Sequence, residues 1–408
     1  MVWLWLIAAS LGTGLSLVLL VYWSFAIGRI LDTTRKVPTA RAGLGLAAVK
    51  PLTESVSVIV PAHNEAHAIA GVIRSLRKQD HPQMRVVIAL DRCTDGTADV
   101  ARGEIGGDAR FRLLEIQQCP LGWAGKVHAV WSGVTASAEA GLAEYLLFID
   151  ADTELDPGCV SATAALMRER QLDMLSLLST LTYDRWFEIL VQPAASLELL
   201  RQYPILQANR DVDRRPFANG QFMMFRASSY RAIETHESVK DELLEDLALA
   251  RRISQARMRA GVYMADGMVR CRMYESWAAF KKGWKRIYTE AARRRAAKLR
   301  RASFRVAIPG AILPVFAVLA VVSGAVLFSL YQRETLGMIA IVVGGIAFGV
   351  HAAALAMAYR AGGAPLWSIL AYPIGAVLTA RILRHAASDL QAGRPTSWGG
   401  IEYMRTSQ

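Results

Sequence analysis

The stretch LLFIDADTEL at residues 146–155 ends an apolar run with two carboxylates, Asp150 and Asp152. Apolar runs of about four to eight residues are typical of buried β-strands, so the run predicts a strand over residues 145–149. The two carboxylates would then emerge together at the carboxyl end of that strand. Hard cations such as Mg²⁺ and Mn²⁺ prefer oxygen ligands. The pair is therefore a candidate metal site, although two acids that only cap a loop would have the same pattern.

Strand and helix patterns alternate before this stretch. Further apolar runs predict strands at residues 56–60, 85–90 and 111–116, and helical patterns follow each of them. Such alternation predicts an α/β domain with a mostly parallel sheet. Ligands of these sheets bind at the carboxyl ends of the strands. The polar residues that follow the strands should therefore share one nucleotide-type site; they are Asn64, Glu65, Asp91, Asp150 and Asp152.

Two other segments supply charged residues with suitable chemistry. Lys126 opens a predicted helix and could bring positive charge to phosphate groups, or it could be an ordinary surface lysine. Glu245 and Asp246 are adjacent within an apolar frame, ahead of a predicted basic helix. A carboxylate in such a position could act as a general base towards a hydroxyl group.

Four segments contain no charged side chain, at residues 2–27, 306–331, 335–359 and 361–380. A helix needs about 20 apolar residues to cross the hydrocarbon core, so the first three predict membrane spans. The first is too long for a signal peptide and lacks a basic start, which favours an anchor. The fourth contains three glycines and two prolines, and we expect it to re-enter the membrane or to lie in its interface rather than to span it.

The net charge of +12 is concentrated in residues 281–305, which contain eleven lysines and arginines and one acid. This segment directly precedes a predicted span, so it indicates a basic helix on the anionic cytoplasmic leaflet rather than a nucleic-acid groove. A topology signal without lipid recognition would have the same composition. The four cysteines lack metal-type spacing and are expected to be reduced and unpaired.

Six motifs in a fixed order resemble glycosyltransferase family 2, which has the GT-A fold. The resemblance extends over residues 54–300 and implies an inverting transfer of a sugar from a nucleotide-sugar, which we expect to be UDP-linked. The motifs are VSVIVPAHNE (56–65), ALDRCTDGT (89–97), GWAGKVHAVWSG (122–133), LLFIDADTEL (146–155), FANGQFMMFR (217–226) and ELLEDLALARR (242–252).

The resemblance also implies a role for each matching residue. Asp91 would contact the uracil ring, and Asp150 with Asp152 would bind the diphosphate and a divalent cation, Mn²⁺ or Mg²⁺. Asp246 would be the catalytic base, with Glu245 beside it. The remaining candidates would line the nucleotide-sugar pocket (Pro61, Asn64, Glu65, Lys126) or form a loop at the acceptor and donor (Asn219, Gly220, Gln221).

Within the family, the chain most resembles membrane-bound enzymes of carotenoid and hopanoid lipid pathways. The motifs that carry this resemblance are NGQF (219–222), HE (236–237), RMY (272–274) and GRPTSW (393–398). The Q-x-x-R-W motif of processive enzymes is absent, and residues 283–286 stand at about that place without matching it. Thr235 replaces a glycine that usually precedes His-Glu. A lipid or other hydrophobic acceptor is therefore expected. The alternatives are a polysaccharide synthase, or a nucleotide-binding membrane scaffold or pseudoenzyme without activity.

These features predict an inner-membrane, multi-pass protein whose catalytic domain is cytoplasmic, with its oligomeric state left open. Basic residues after the first span place the next domain in the cytoplasm. Residues 55–170 would bind the nucleotide-sugar, and residues 171–280 the acceptor. The other predicted regions are an anchor at 1–28, a weakly structured linker at 29–54, the basic helix at 281–305, membrane segments at 306–383 and a tail at 384–408.

Overall fold

A mixed sheet organises the computed structural model, which describes residues 1–398 and 401–403. Within these residues the sheet has seven strands in the order β3-β2-β1-β4-β8-β6-β9. Its strands and those of the smaller sheets are β1 Val56–Ala62, β2 Met84–Asp91, β3 Phe111–Ile116, β4 Tyr145–Ile149, β5 Thr153–Leu155, β6 Met174–Leu178, β7 Thr180–Leu181, β8 Phe222–Arg226, β9 Ala260–Met264, β10 Val269–Cys271, β11 Thr396–Trp398 and β12 Ile401–Tyr403.

The prediction of a mostly parallel α/β sheet is confirmed. Strand β1 runs parallel to both β2 and β4, and β2 runs parallel to β3. Strand β8 is antiparallel to both of its neighbours, β4 and β6. Every residue of β1 is buried, as expected for a central strand covered by helices on both faces. The carboxyl ends of β1, β2 and β4 therefore meet at one edge.

Helices cover the sheet and extend beyond it. They are α1 Val2–Lys36, α2 Ala42–Val49, α3 Ile69–Arg77, α4 Thr97–Ile105, α5 Gly125–Thr135, α6 Ala138–Leu142, α7 Cys159–Glu169, α8 Trp186–Leu190, α9 Gln192–Gln202, α10 Ile205–Ala208, α11 Ala227–Ala232, α12 Glu245–Gln255, α13 Trp277–Ala291, α14 Ala296–Ala307, α15 Leu313–Leu330, α16 Glu334–Gly362 and α17 Tyr372–Gln391. Short 3₁₀ segments lie at His236–Val239 and Leu366–Ala371, and a π-turn lies at Ile308–Ile312.

The segment predicted as a weakly structured linker is largely helical, so that prediction is wrong. Helix α1 continues through Lys36, and α2 follows after a short turn. A Cβ atom at Gly43 would lie only 2.1 Å from the carbonyl oxygen of Ala162, so α2 packs directly on α7. The glycines that suggested a flexible linker instead allow this close approach of two backbones.

Four helical stretches in the described part of the chain are long and apolar enough to cross a membrane: Val2–Lys36, Ala296–Leu330, Glu334–Gly362 and Leu366–Gln391. They indicate a membrane protein. Helices α1, α15 and α16 pack together through small residues, as is usual for membrane helices. A Cβ atom at Gly324 of α15 would lie 2.6 Å from the carbonyl oxygen of Gly337 in α16.

The basic segment at 281–305 forms parts of two helices, so the prediction of one interfacial helix is wrong. Helices α13 and α14 are separated at Arg293 and Arg294, which both have left-handed backbone conformations (φ 55° and 54°). In α13, Trp284 and Tyr288 are buried inside the protein and do not face a membrane surface. Helix α14 continues through the π-turn into α15.

Helix α17 folds back along α14 and does not run beside the three packed spans. The guanidinium carbon of Arg384 lies 5.1 Å from the ring centre of Phe304, and a Cβ at Gly310 would lie 2.8 Å from that of Ala376. The two helices are therefore antiparallel. Since α17 ends at Gln391, the tail predicted from residue 384 begins later than expected. Its residues 399–400 and 404–408 lie outside the described residues.

Candidate active site

A cavity of 510 Å³ opens where β1, β2 and β4 end. Nearly all of the predicted site residues line it: Pro61, Glu65, Asp91, Lys126, Asp150, Asp152, Asn219, Gly220, Gln221, Glu245 and Asp246. Asn64 does not line the cavity. Its side-chain oxygen accepts a hydrogen bond from the backbone N–H of Thr94 at 2.8 Å. This hydrogen bond joins the loops that follow β1 and β2, so Asn64 supports the cavity without lining it.

Lys126 links two of the predicted acids. Its Nζ lies 2.7 Å from Asp150 Oδ1 and 2.6 Å from Glu245 Oε1. Burial alone would lower the pKa of Lys126, but the two carboxylates outweigh burial and raise it. The ammonium in turn lowers the pKa of Glu245 against the effect of burial. Lys126 is therefore a fixed positive charge in the middle of the cavity.

Asp152 has the features expected of a cation ligand. Its Oδ1 atom is buried and has no hydrogen-bond partner. Burial, together with the negative charge of Asp150, raises the pKa of Asp152 to about 7. A divalent cation would satisfy the unpartnered oxygen and remove the repulsion between the two carboxylates. The residues of the D-x-D turn thus fit such an ion.

The chain does not supply a complete coordination shell. Within the described residues, no group of three or more His, Cys, Asp or Glu side chains is arranged to hold a metal ion. Further ligands would have to come from substrate phosphates and water, as is common for Mg²⁺ and Mn²⁺. Glu65 lies close to this negative charge, and burial together with the charges of Asp152 and Asp150 raises its pKa to about 8, which favours its neutral form near pH 7.

Asp91 is held by its own neighbour. Arg92 donates to both carboxylate oxygens, at 2.9 Å from Nε and 2.6 Å from Nη2, and Asp91 is only 2% exposed. Both residues line the cavity. A Cβ at Gly125 would lie 2.8 Å from Arg92 Nη2, so this pair packs against the start of α5. The sequence indicated Asp91 but not its pairing with Arg92.

Asp246 lies in the first turn of α12, facing the loop before β8. Its Oδ2 accepts from the Gly220 N–H at 2.9 Å, and its Oδ1 accepts from the Leu247 N–H at 2.6 Å. Burial and the charge of Glu245 raise the pKa of Asp246 to about 6. A carboxylate held in one orientation, with a pKa near neutral, can accept a proton from a bound hydroxyl.

A hydrogen bond to strand β6 holds the Asn219–Gln221 loop in place. The Asn219 side chain donates to the Leu177 carbonyl at 2.9 Å and to Gln221 Oε1 at 3.1 Å. Gly220 passes so close to the charged residues that a Cβ there would lie 3.2 Å from Lys126 Nζ. Asn219 therefore holds the loop in place, and Gly220 lets its backbone approach the reacting groups.

Another part of the cavity lining is apolar and was not predicted. It is formed by Leu199 and Leu200 of α9 and by Trp284 and Ile287 of α13. Arg286 also lines the cavity, although the sequence assigned it to a membrane-facing basic segment. The only signal for its position was that residues 283–286 stand where the family's processive members have a site motif.

Comparison with known proteins agrees with this arrangement. Residues 57–234 match the model of glycosyl transferase family 2. The chain is 24% identical over 245 residues to 4,4'-diaponeurosporenoate glycosyltransferase of Staphylococcus haemolyticus (strain JCSC1435), and 26% identical over 242 residues to the enzyme of that name from Staphylococcus aureus (strain MRSA252). Each match covers 57% of this chain and 60% of the relative.

Two solved structures are similar in outline. Mannosyltransferase PcManGT from Pyrobaculum calidifontis, solved with GDP-Man and Mn²⁺, has a TM-score of 0.48 and 18% identity, covering 95% of this chain and 98% of that one. Residues 1–349 of S. aureus TarS, solved with UDP-GlcNAc, have a TM-score of 0.40 and 13% identity, covering 87% and 97%. The family match over residues 57–234 and the mixed sheet with its strand-end site lead to one conclusion: this part of the chain is similar to glycosyl transferase family 2 and has a GT-A-like α/β fold.

Proposed function

We propose that the protein transfers a sugar, with inversion, from a UDP-linked donor to the hydroxyl group of a membrane lipid. The observation that carries this proposal is a single cavity with two kinds of lining. Asp150, Asp152 and Asp246 line it together with apolar residues of α9 and α13. A polar donor and an apolar acceptor could thus meet in it.

The leaving group needs positive charge as the bond between the sugar and the diphosphate breaks. A divalent cation bound to Asp150 and Asp152 would neutralise the negative charge that develops on the departing diphosphate. Lys126, held protonated between Asp150 and Glu245, contributes a fixed positive charge at the same edge. Asp91 and Arg92 line the cavity beside Gly125, and the nucleobase would bind there.

Asp246 would take the proton of the acceptor. As the acceptor oxygen forms its bond to the anomeric carbon, the bond to the diphosphate breaks on the opposite side and the hydroxyl proton passes to Asp246. A single displacement of this kind inverts the configuration of the sugar. The two backbone N–H groups that bind Asp246 keep its carboxylate oriented for this step.

The catalytic domain would face the cytoplasm, where nucleotide-sugars are made. Arg29, Arg35 and Lys36 follow the first apolar stretch, and the basic residues of 281–305 precede the second. Both groups belong on the cytoplasmic side by the positive-inside rule. The fold-back of α17 along α14 supports a re-entrant or interfacial position for 366–391, with the C-terminus on that same side.

The alternatives find less support. All four of Asp91, Asp150, Asp152 and Asp246 line the cavity, whereas an inactive scaffold would be free to lose them. The curated relatives are named for one small compound, 4,4'-diaponeurosporenoate, which agrees better with a single acceptor molecule than with a growing polysaccharide.

A donor screen tests the proposal. The purified protein, in vesicles of extracted bacterial membrane lipid, is given UDP- and GDP-sugars with and without Mn²⁺. We expect nucleotide release and a lipid product heavier by one sugar, seen by mass spectrometry, with a UDP-sugar and Mn²⁺. Binding of nucleotide without release from any donor would support the scaffold instead.

The cation site has its own test. In Asp152→Asn, we expect the affinity for UDP in the presence of Mn²⁺ to fall at least about tenfold, because even changes next to a metal ligand cost about 10- to 100-fold. Glu154→Gln is the matched control, since Glu154 is an exposed acid two residues further on. Titration calorimetry with and without Mn²⁺ gives both affinities, and equal affinities in Asp152→Asn and the wild type would exclude this site.

A further inference from the structure

The apolar part of the cavity lining has properties that a nucleotide-sugar does not require. Leu199, Leu200 and Ile287 are only half-buried in the protein, and the cavity itself is what they face. Tyr203 stacks on Phe217 at 5.1 Å and forms one wall. We call this space between α9 and α13 the apolar corridor. An apolar ligand would remove its walls from water, whereas a sugar diphosphate would not.

The corridor reaches a membrane helix. Gly362, the last residue of α16, lines the same cavity, and a Cβ atom there would lie 3.9 Å from the hydroxyl oxygen of Tyr183. Helix α16 also packs against α9, which forms one side of the corridor. The cavity is therefore bounded on this side by the C-terminal end of a candidate membrane span. We call the place where Tyr183 and Gly362 meet the portal.

Tryptophans lie around the portal. Trp186 is 51% exposed, and its ring centre lies 5.1 Å from that of Trp277. Helix α8, which begins at Trp186, packs against the 366–371 turn, where Trp367 is 68% exposed. Tryptophans concentrate at the headgroup level of membranes. Leu370, 86% exposed in the same turn, would extend into the apolar layer. These tryptophans would place the portal at the surface of the bilayer.

We propose that the acceptor enters from the membrane through the portal and that its apolar chain occupies the corridor while its hydroxyl group points to Asp246. The position of the hydroxyl group at Asp246 rests on the proposed function, but the binding of an apolar chain in the corridor does not. A cavity of 510 Å³ suits one small-molecule ligand. Because the donor must share it, the occupant is a lipid with a single narrow apolar chain rather than a two-chain phospholipid.

Photo-crosslinking tests the portal without requiring sugar transfer. The full-length protein is placed in phosphatidylethanolamine and phosphatidylglycerol vesicles with a hexadecanol that carries a diazirine in the middle of its apolar chain. After irradiation, we expect labelled peptides that contain residues 199–200 and 287. Label found only on the outer faces of α15 and α16 would overturn the proposal.

A pair of glycine variants sharpens this test. In Gly362→Trp, the indole would block the portal, and we expect corridor labelling to fall at least about fivefold, which corresponds to about 1 kcal/mol. Gly349→Trp is the matched control on the same helix, because a Cβ there meets no atom within 4 Å. Equal labelling in both variants, whether retained or lost, would contradict the portal.

A third variant guards against misfolding of Gly362→Trp. Tyr183→Ala should widen the portal and increase corridor labelling, and unchanged or decreased labelling would count against the proposal. If the labelling pattern is as expected but no donor supports transfer, the portal stands and the proposed glycosyl transfer fails.

Discussion

At the scale of single residues, the candidate site depends on how charges are shared. Lys126 holds Asp150 and Glu245, Arg92 holds Asp91, and backbone N–H groups hold Asp246. The acids themselves could be predicted from the sequence because they follow apolar strands or lie in an apolar frame. The pairing of these acids with Lys126, Arg92 and backbone N–H groups could not be predicted, since only the folded chain brings α5, β4 and α12 together.

Asp246 allows a prediction about pH. A general base works in its ionised form, so the rate of transfer should fall as the pH drops below about 6, the value to which burial and Glu245 raise the pKa of Asp246. Asp246→Asn should lower kcat at least about 100-fold, the lower end for loss of a general base. The measurement is the pH–rate profile with saturating donor.

The exposed acid Asp241 supplies the control for that experiment. Asp241→Asn should keep both the rate and the acid-side decline. An Asp246→Asn enzyme with wild-type kcat, or with the same decline near pH 6, would mean that another group removes the proton.

Thr235 allows a prediction about stability. It replaces a family glycine, and its backbone has φ 57° and ψ −163°, a region that only glycine adopts without strain. Thr235→Gly should therefore raise the free energy of unfolding by about 1 kcal/mol. Thr235→Ala keeps the strain and loses the hydrogen bond from the Glu237 N–H, so it should destabilise. Unfolding midpoints in detergent compare the two, and a less stable Thr235→Gly protein would show that the threonine's contacts outweigh its strain.

At the scale of helices and strands, the sequence predicted the sheet well and the segments between sheet and membrane poorly. Strands β3 and β4 have the predicted bounds, because their apolar residues form single runs with clear ends. Helix α2 was missed because its glycines serve packing on α7. Helix α13 was misplaced because Trp284 and Arg286 face the protein interior, although their charged neighbours suggested a membrane surface.

The contact between α15 and α16 gives a prediction at this scale. A Cβ at Gly337 would lie 2.6 Å from the Gly324 carbonyl oxygen, whereas a Cβ at Gly345 meets no atom within 4 Å. Gly337→Val should destabilise the protein by about 1–3 kcal/mol, the usual cost of overpacking. Gly345→Val should have little effect. Thermal unfolding in detergent distinguishes them, and similar midpoints would show that the two helices separate without loss.

At the scale of the whole molecule, the arrangement of α17 decides the topology. We predict that Val49 and Ala392 lie on the same side of the membrane and that Gln332, between α15 and α16, lies on the other. Single cysteines at these three positions, in a protein with its four native cysteines replaced by serine, can be labelled with a membrane-impermeant maleimide in vesicles of known orientation. Labelling of Ala392→Cys together with Gln332→Cys would mean that residues 366–391 cross the membrane.

The antiparallel packing of α17 on α14 has a mechanical consequence. Lys285 of α13 also pairs with Asp389 of α17, so the catalytic domain and the membrane helices are joined at several points and not by a single tether. The reaction centre is then held at a constant height above the bilayer. We expect this fixed height to select the acceptor. A lipid is glycosylated only if its hydroxyl group can reach the reaction centre while the rest of its chain stays in the membrane.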